Sequence, residues 1–86
     1  MPRISEFYGI IIEMFHADHA PPHFHAKYGD QSALVALDPI RIDRGKLPPR
    51  AQRMVVEWAS LHHRELLENW GRTERFESLV RIDPLP

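Results

Sequence analysis

The apolar residues of this chain change their spacing once, and that change limits what it can fold into. Up to Pro39 they alternate: Ile10, Ile12 and Met14, then Phe24, Ala26 and Tyr28, then Ala33, Val35 and Leu37. Beyond Pro48 the spacing is helical. Ala51, Val55, Trp58 and His62 fall at i, i+4, i+7 and i+11, and Met54, Leu61 and Leu66 widen the stripe. A period of two puts alternate side chains on one face of a strand, and a period near 3.6 stacks them along one face of a helix.

Turn residues divide the alternating half into short strands. Residues 3–8 form the first and Gly9 to Phe15 the second; Ala17 to Pro22 is the connection, marked by Asp18 and by Pro21-Pro22. His23 to Tyr28 is the third strand. Phe24, Ala26 and Tyr28 lie on one face, and His23, His25 and Lys27 on the other. Gly29-Asp30 is a turn, and Gln31 to Leu37 the fourth strand. Pro39 ends it, because proline cannot donate to a central ladder. Ile40 and Ile42 suit a short edge strand. Pro48 to Trp70 reads as a single long helix, with Pro48 and Pro49 in the first turn and Gly71 as the residue that ends it. Leu79, Val80 and Ile82 suit one more short strand. Short connections favour antiparallel neighbours. The expected fold class is α+β: a small, mostly antiparallel sheet of four or five strands with one long C-terminal helix packed on one face. At 86 residues, the chain reads as one domain over 1–86.

Composition removes several classes of function. There is no cysteine, so disulfides, thiolate metal sites and cysteine nucleophiles are excluded. A small domain without disulfides points to the cytoplasm. No signal-peptide pattern opens the sequence, and its longest apolar run, Ile10-Ile11-Ile12, is far too short to span a bilayer, so no membrane partner is expected. The net charge of −1 conceals a basic stretch: Arg41, Arg44, Lys46, Arg50 and Arg53 stand against Asp43 alone. Such a stretch can hold phosphate or an acidic partner, although charge runs are more often solvated surface. Arg50 and Arg53 oppose the helix dipole at this end, which favours a bound anion.

The chemically unusual stretch is Asp18 to His25. His23 and His25 are two apart on a strand, so both imidazoles leave the same face and can present two nitrogens to one metal ion. Asp18 or His19, on a proline-stiffened loop, can be a third ligand; three ligands plus water is the arrangement of a catalytic zinc site. The same groups suit metal-free chemistry that needs no cofactor. His23 and His25, with His19 beside them, can serve as acid and base in RNA cleavage, with Lys27, Arg50 and Arg53 holding the phosphate. The structural reading has Asp18 accepting backbone hydrogen bonds in the turn. His62, on the apolar stripe, is expected to face the sheet as a hydrogen-bonded core histidine, apart from His23 and His25. A sheet flipped by one residue would bring all three together. His16 and His63 carry no signal. Trp58 and Trp70 read as packing residues.

Asp18-His19-Ala20-Pro21-Pro22-His23-Phe24-His25, followed by Tyr28-Gly29, resembles a short bacterial family known as domain of unknown function 4160. So do Met1-Pro2-Arg3-Ile4-Ser5, Trp58-Ala59-Ser60-Leu61-His62 and Glu65-Leu66-Leu67-Glu68-Asn69-Trp70. The positions that carry the resemblance are Asp18, His19, Pro21, Pro22, His23, His25, His62 and Asn69; His16 and His63 are outside the pattern. The resemblance implies no reaction. It implies a setting, a toxin–antitoxin-like two-gene module, and hence a small cognate partner protein or self-association, and RNA as a substrate for a toxin. Three functions follow as expectations: a histidine-dependent ribonuclease, a non-enzymatic binding module anchored by Ile11, Phe15 and Leu34, or a zinc-type metalloprotein using Asp18, His23 and His25.

Overall fold

The computed structural model describes residues 2–16 and 18–86. Met1 and Ala17, which open the resembling N-terminal motif and the predicted connection, lie outside the described residues. Among those described, the chain forms five strands and two helices in the order β1 (Arg3–Phe7), β2 (Ile10–Glu13), β3 (His23–Tyr28), β4 (Gln31–Leu37), β5 (Ile40–Gly45), α1 (Pro49–Leu61) and α2 (His63–Glu74). The strands pair antiparallel with their sequence neighbours, so the sheet is the expected meander. The expected α+β class holds.

Turn chemistry sets the register. Phe7 faces Ile10 across Tyr8 and Gly9, both in the left-handed region at φ 50 and 80, as a two-residue hairpin of this type requires. Tyr28 faces Gln31 across Gly29, at φ 60. With the register fixed, Ile10, Ile12, Phe24, Ala26, Val35 and Leu37 share the face covered by the helices. Trp58 of α1 is fully buried among them, with Phe7 and Phe24 rings 5.3 and 5.7 Å from its own. Its indole N–H donates to the Asp83 carbonyl at 2.8 Å.

The helical half differs from expectation in three places. The single long helix is two, divided at His62 (φ −115, ψ 27). Neither proline nor glycine breaks it. Ser60 Oγ donates back to the Val56 carbonyl at 2.9 Å, a contact that bends helices. Just beyond, the His63 imidazole donates to the Leu37 carbonyl at 2.7 Å and ties the next turn to the end of β4. Second, α2 runs through Gly71 to Glu74. Buried Trp70 and Thr73 hold that last turn, and the cap is a Schellman motif: Glu77 N–H to Arg72 carbonyl at 2.8 Å and Phe76 N–H to Thr73 carbonyl at 3.2 Å. Phe76, at φ 57, occupies the position that glycine usually takes. Third, residues 77–86 form an extended strap rather than a strand. Fully buried Asn69 grips Val80 at both ends, its Nδ2 donating to the Val80 carbonyl at 2.8 Å and its Oδ1 accepting from the Val80 N–H at 3.0 Å. The Ile82 N–H then donates to the Ile4 carbonyl at 2.8 Å. Conversely, the edge strand expected at Ile40 and Ile42 is a full six-residue β5 paired to β4. No helix is long and apolar enough to cross a membrane among the described residues.

Candidate metal centre

On the sheet face away from the helices, the register aligns one row across all five strands: Arg3 opposite Glu13, Glu13 opposite His25, His25 opposite Leu34, and Leu34 opposite Arg44. His25 is at its centre. His23 leaves the same side of β3, but it is buried rather than open, because the Trp70 ring packs 5.0 Å from it and the loop before β3 folds across it. His25 is held edge-on by Phe15 at 4.9 Å and by His23 at 5.3 Å. Both rings are therefore fixed by packing.

Asp18 brings the two imidazoles to one point. Its Oδ2 lies 3.0 Å from His23 Nε2 and 3.2 Å from His25 Nε2. The other nitrogen of His23, Nδ1, lies 2.9 Å from the Pro21 carbonyl. A carbonyl only accepts, so Nδ1 carries a proton. A neutral His23 then presents a bare lone pair at Nε2, aimed at a carboxylate oxygen that also offers only lone pairs. The contact therefore needs a proton or a metal cation between the two atoms. Burial raises the pKa of the Asp18 carboxyl, but the facing His25 and His23 imidazoles outweigh it and hold Asp18 below the usual carboxylate range.

The distances fit a metal. Ligands at about 2.0–2.2 Å from a tetrahedral zinc-class ion stand roughly 3.3 Å apart, and the three donor atoms lie within 4.8 Å of one another. The outward hydrogen bond from Nδ1 to a backbone carbonyl is the usual way a metal-binding histidine is fixed in the correct tautomer. The site opens into a cleft of about 300 Å³ lined by the loop from Asp18 to Pro22, by Leu34 and Ala36 of β4, and by Asp43 and Arg44 of β5.

The other residues singled out by the sequence are spread around the molecule. His19 is exposed and lines the same cleft, outside the three-donor group. Lys27 shares the sheet face, but its Nζ lies 3.0 Å from Glu13 Oε1 in an ion pair. Arg50 lines a different cleft, with Tyr8 and Tyr28, and Arg53 is exposed on α1, the helix on the opposite face. His62 is half-buried at the helix junction, 2.5 Å from Glu65 Oε1 and with its ring 5.7 Å from Trp58; it is not part of the three-donor group. Ile11, Phe15 and Leu34 are half-buried. Two residues without a sequence signal acquire roles: His63 as the tie to Leu37, and His16, whose Nε2 donates to the Glu77 carbonyl at 2.7 Å. Only the pairing of distant segments reveals either contact.

A family model described as Domain of unknown function (DUF4160) matches residues 9–71. The chain belongs to this family. The match takes in the whole Asp18–His25 segment, Trp70 behind it and the Asn69 clamp, whereas Arg3 and the strap lie outside it. No curated protein and no solved structure matches this DUF4160 chain.

Proposed function

We propose that this DUF4160 protein is a metalloprotein in which Asp18, His23 and His25 hold one divalent ion of the zinc class, with an open coordination position facing the cleft. The observation that carries the reading is the lone-pair conflict at His23 Nε2, whose partner nitrogen is committed to the Pro21 carbonyl. Three protein ligands and an open position are the pattern of catalytic rather than structural sites. A metal so held would supply Lewis acidity and a water of lowered pKa to a phosphoryl or carbonyl substrate. The chain contributes the rest: Pro21 fixes the His23 tautomer, Phe15 and Trp70 fix the ring planes, and Arg44 stands at the rim as a cation for an anionic substrate. In the toxin–antitoxin-like setting that the family resemblance implies, that substrate is RNA.

Metal analysis of protein purified without a polyhistidine tag tests the proposal. One equivalent of zinc-class metal is expected, lost in His23→Ala and Asp18→Ala while the fold persists. Metal-free protein that does not take up zinc at micromolar concentration refutes it. RNA cleavage that survives chelation yet disappears in His23→Ala would identify the paired histidines as metal-free acid and base instead.

A further inference from the structure

A further cleft, about 510 Å³, lies elsewhere and is lined by Arg3, His16, Ser78, Leu79 and Arg81. Three stretches of chain converge here: the start of β1, the segment just after β2, and the strap. Among the described residues, no carboxylate lines it.

Backbone contacts bring the two arginines to this one cleft. The Ile82 N–H donates to the Ile4 carbonyl, which docks the strap on β1, and Arg3 and Arg81 line the same cleft. On its other side Arg81 follows Val80, which Asn69 grips at both ends. Arg81 is thus carried on a segment anchored immediately before and after it. Like charges held together in this way repel unless an anion lies between them. Existing partners neutralise only part of the charge. Arg3 uses Nη1 on Glu6 at 3.1 Å, while its Nε is buried without a partner. Arg81 makes no ion pair or side-chain hydrogen bond among the described residues. Of the two strap carboxylates, Glu77 is taken by Arg75, whose guanidinium donates to it at 3.1 and 3.2 Å and holds its pKa down.

We infer that this cleft is a binding site for a phosphate group. Planar guanidinium forks match phosphate oxygens two at a time, and paired arginines suit a dianion better than a single carboxylate. The Ser78 hydroxyl adds a donor on the same wall. The site is separate from the metal centre: none of its lining residues is a proposed metal ligand, and all but His16 fall outside the DUF4160 match.

Titration with inorganic phosphate and with adenosine 5′-monophosphate, followed by calorimetry in the presence of chelator, tests the inference; adenosine is the control. Binding of one phosphate per chain is expected, with affinity reduced tenfold or more in Arg81→Ala, partly retained in Arg81→Lys, and weakened by added salt. Tighter binding of the nucleotide than of free phosphate would identify a nucleotide or nucleic-acid terminus as the source, and equal affinities would identify the free ion. Asp18→Ala should bind phosphate as the parent does, which separates this site from the metal centre. Absence of phosphate binding, equal affinity in a folded Arg81→Ala, or binding lost in Asp18→Ala but kept in Arg81→Ala would each overturn it. Arg81 is exposed and its neighbours carry the anchoring hydrogen bonds, so the variant keeps the strap in place.

Discussion

Replacing Asn69 with alanine isolates the contact that holds the strap. The side chain is fully buried, donates to the Val80 carbonyl, accepts from the Val80 N–H, and also accepts from Arg72 Nη1 at 3.0 Å. Each backbone hydrogen bond contributes about 1 kcal/mol net, and the small void left by the lost amide adds about 1 kcal/mol. Val80 is 52% exposed, so its freed backbone groups can rehydrate and do not remain as a larger buried penalty. The expected loss is about 3 kcal/mol. For a domain of this size that is a fall in Tm of roughly 12–24 °C, at 4–8 °C per kcal/mol. Urea unfolding measures the loss, and hydrogen exchange at the Ile82 amide shows whether the strap has separated from Ile4. Asn69→Asp is the matched control: it keeps the shape and the acceptor but sets a carboxylate oxygen against the Val80 carbonyl, so it should be at least as damaging. A loss below about 1 kcal/mol, or an Ile82 amide as protected as in the parent, would refute the clamp.

Three other predictions rest on separate parts of the structure. Zinc at 100 times its dissociation constant should stabilise the protein by about 2.7 kcal/mol, read as a rise in Tm that is absent from His25→Ala; an equal rise in that variant argues for binding elsewhere. Phe76→Gly should stabilise by about 0.5–1 kcal/mol, because Phe76 is 74% exposed and sits at φ 57, where a side chain is strained; destabilisation would show that the ring packs after all. Gly45→Ala should be far worse than Gly29→Ala. Both positions have positive φ, but a Cβ on Gly45 would stand 2.2 Å from the Ser32 carbonyl oxygen, whereas one on Gly29 meets nothing within 4 Å. Similar losses in the two variants would mean that backbone strain alone sets the cost.

The strand half was legible because its signals are local. Alternation in Phe24–Ala26 and Ala33–Leu37, and turn residues at Gly9 and Gly29, determine faces and register without reference to distant chain. The helical half was less so. The break at His62 depends on Ser60 bonding back within the helix and on His63 reaching Leu37, and the sequence holds no proline or glycine to announce it. Gly71 looked like a helix end, but buried Trp70 and Thr73 carry the helix past it. The strap kept its apolar residues, yet its partner is the Asn69 side chain rather than a strand. For the site, the shared face of His23 and His25 followed from spacing. Their convergence on one oxygen of Asp18 required the conformation of the loop, and the burial of His23 required Trp70 from far along the chain.

The two clefts differ in how much chain must be ordered before each exists. The metal ligands all fall between Asp18 and His25, so a short loop closure on one strand assembles them. The arginine pair joins Arg3 to Arg81 and depends on the Ile82–Ile4 bond, which links nearly the two ends of the described chain. Release of the strap alone would dissolve the arginine pair while leaving the aspartate–histidine triad standing. Phosphate occupancy would therefore report completion of the whole fold, and metal occupancy only the formation of its central hairpin.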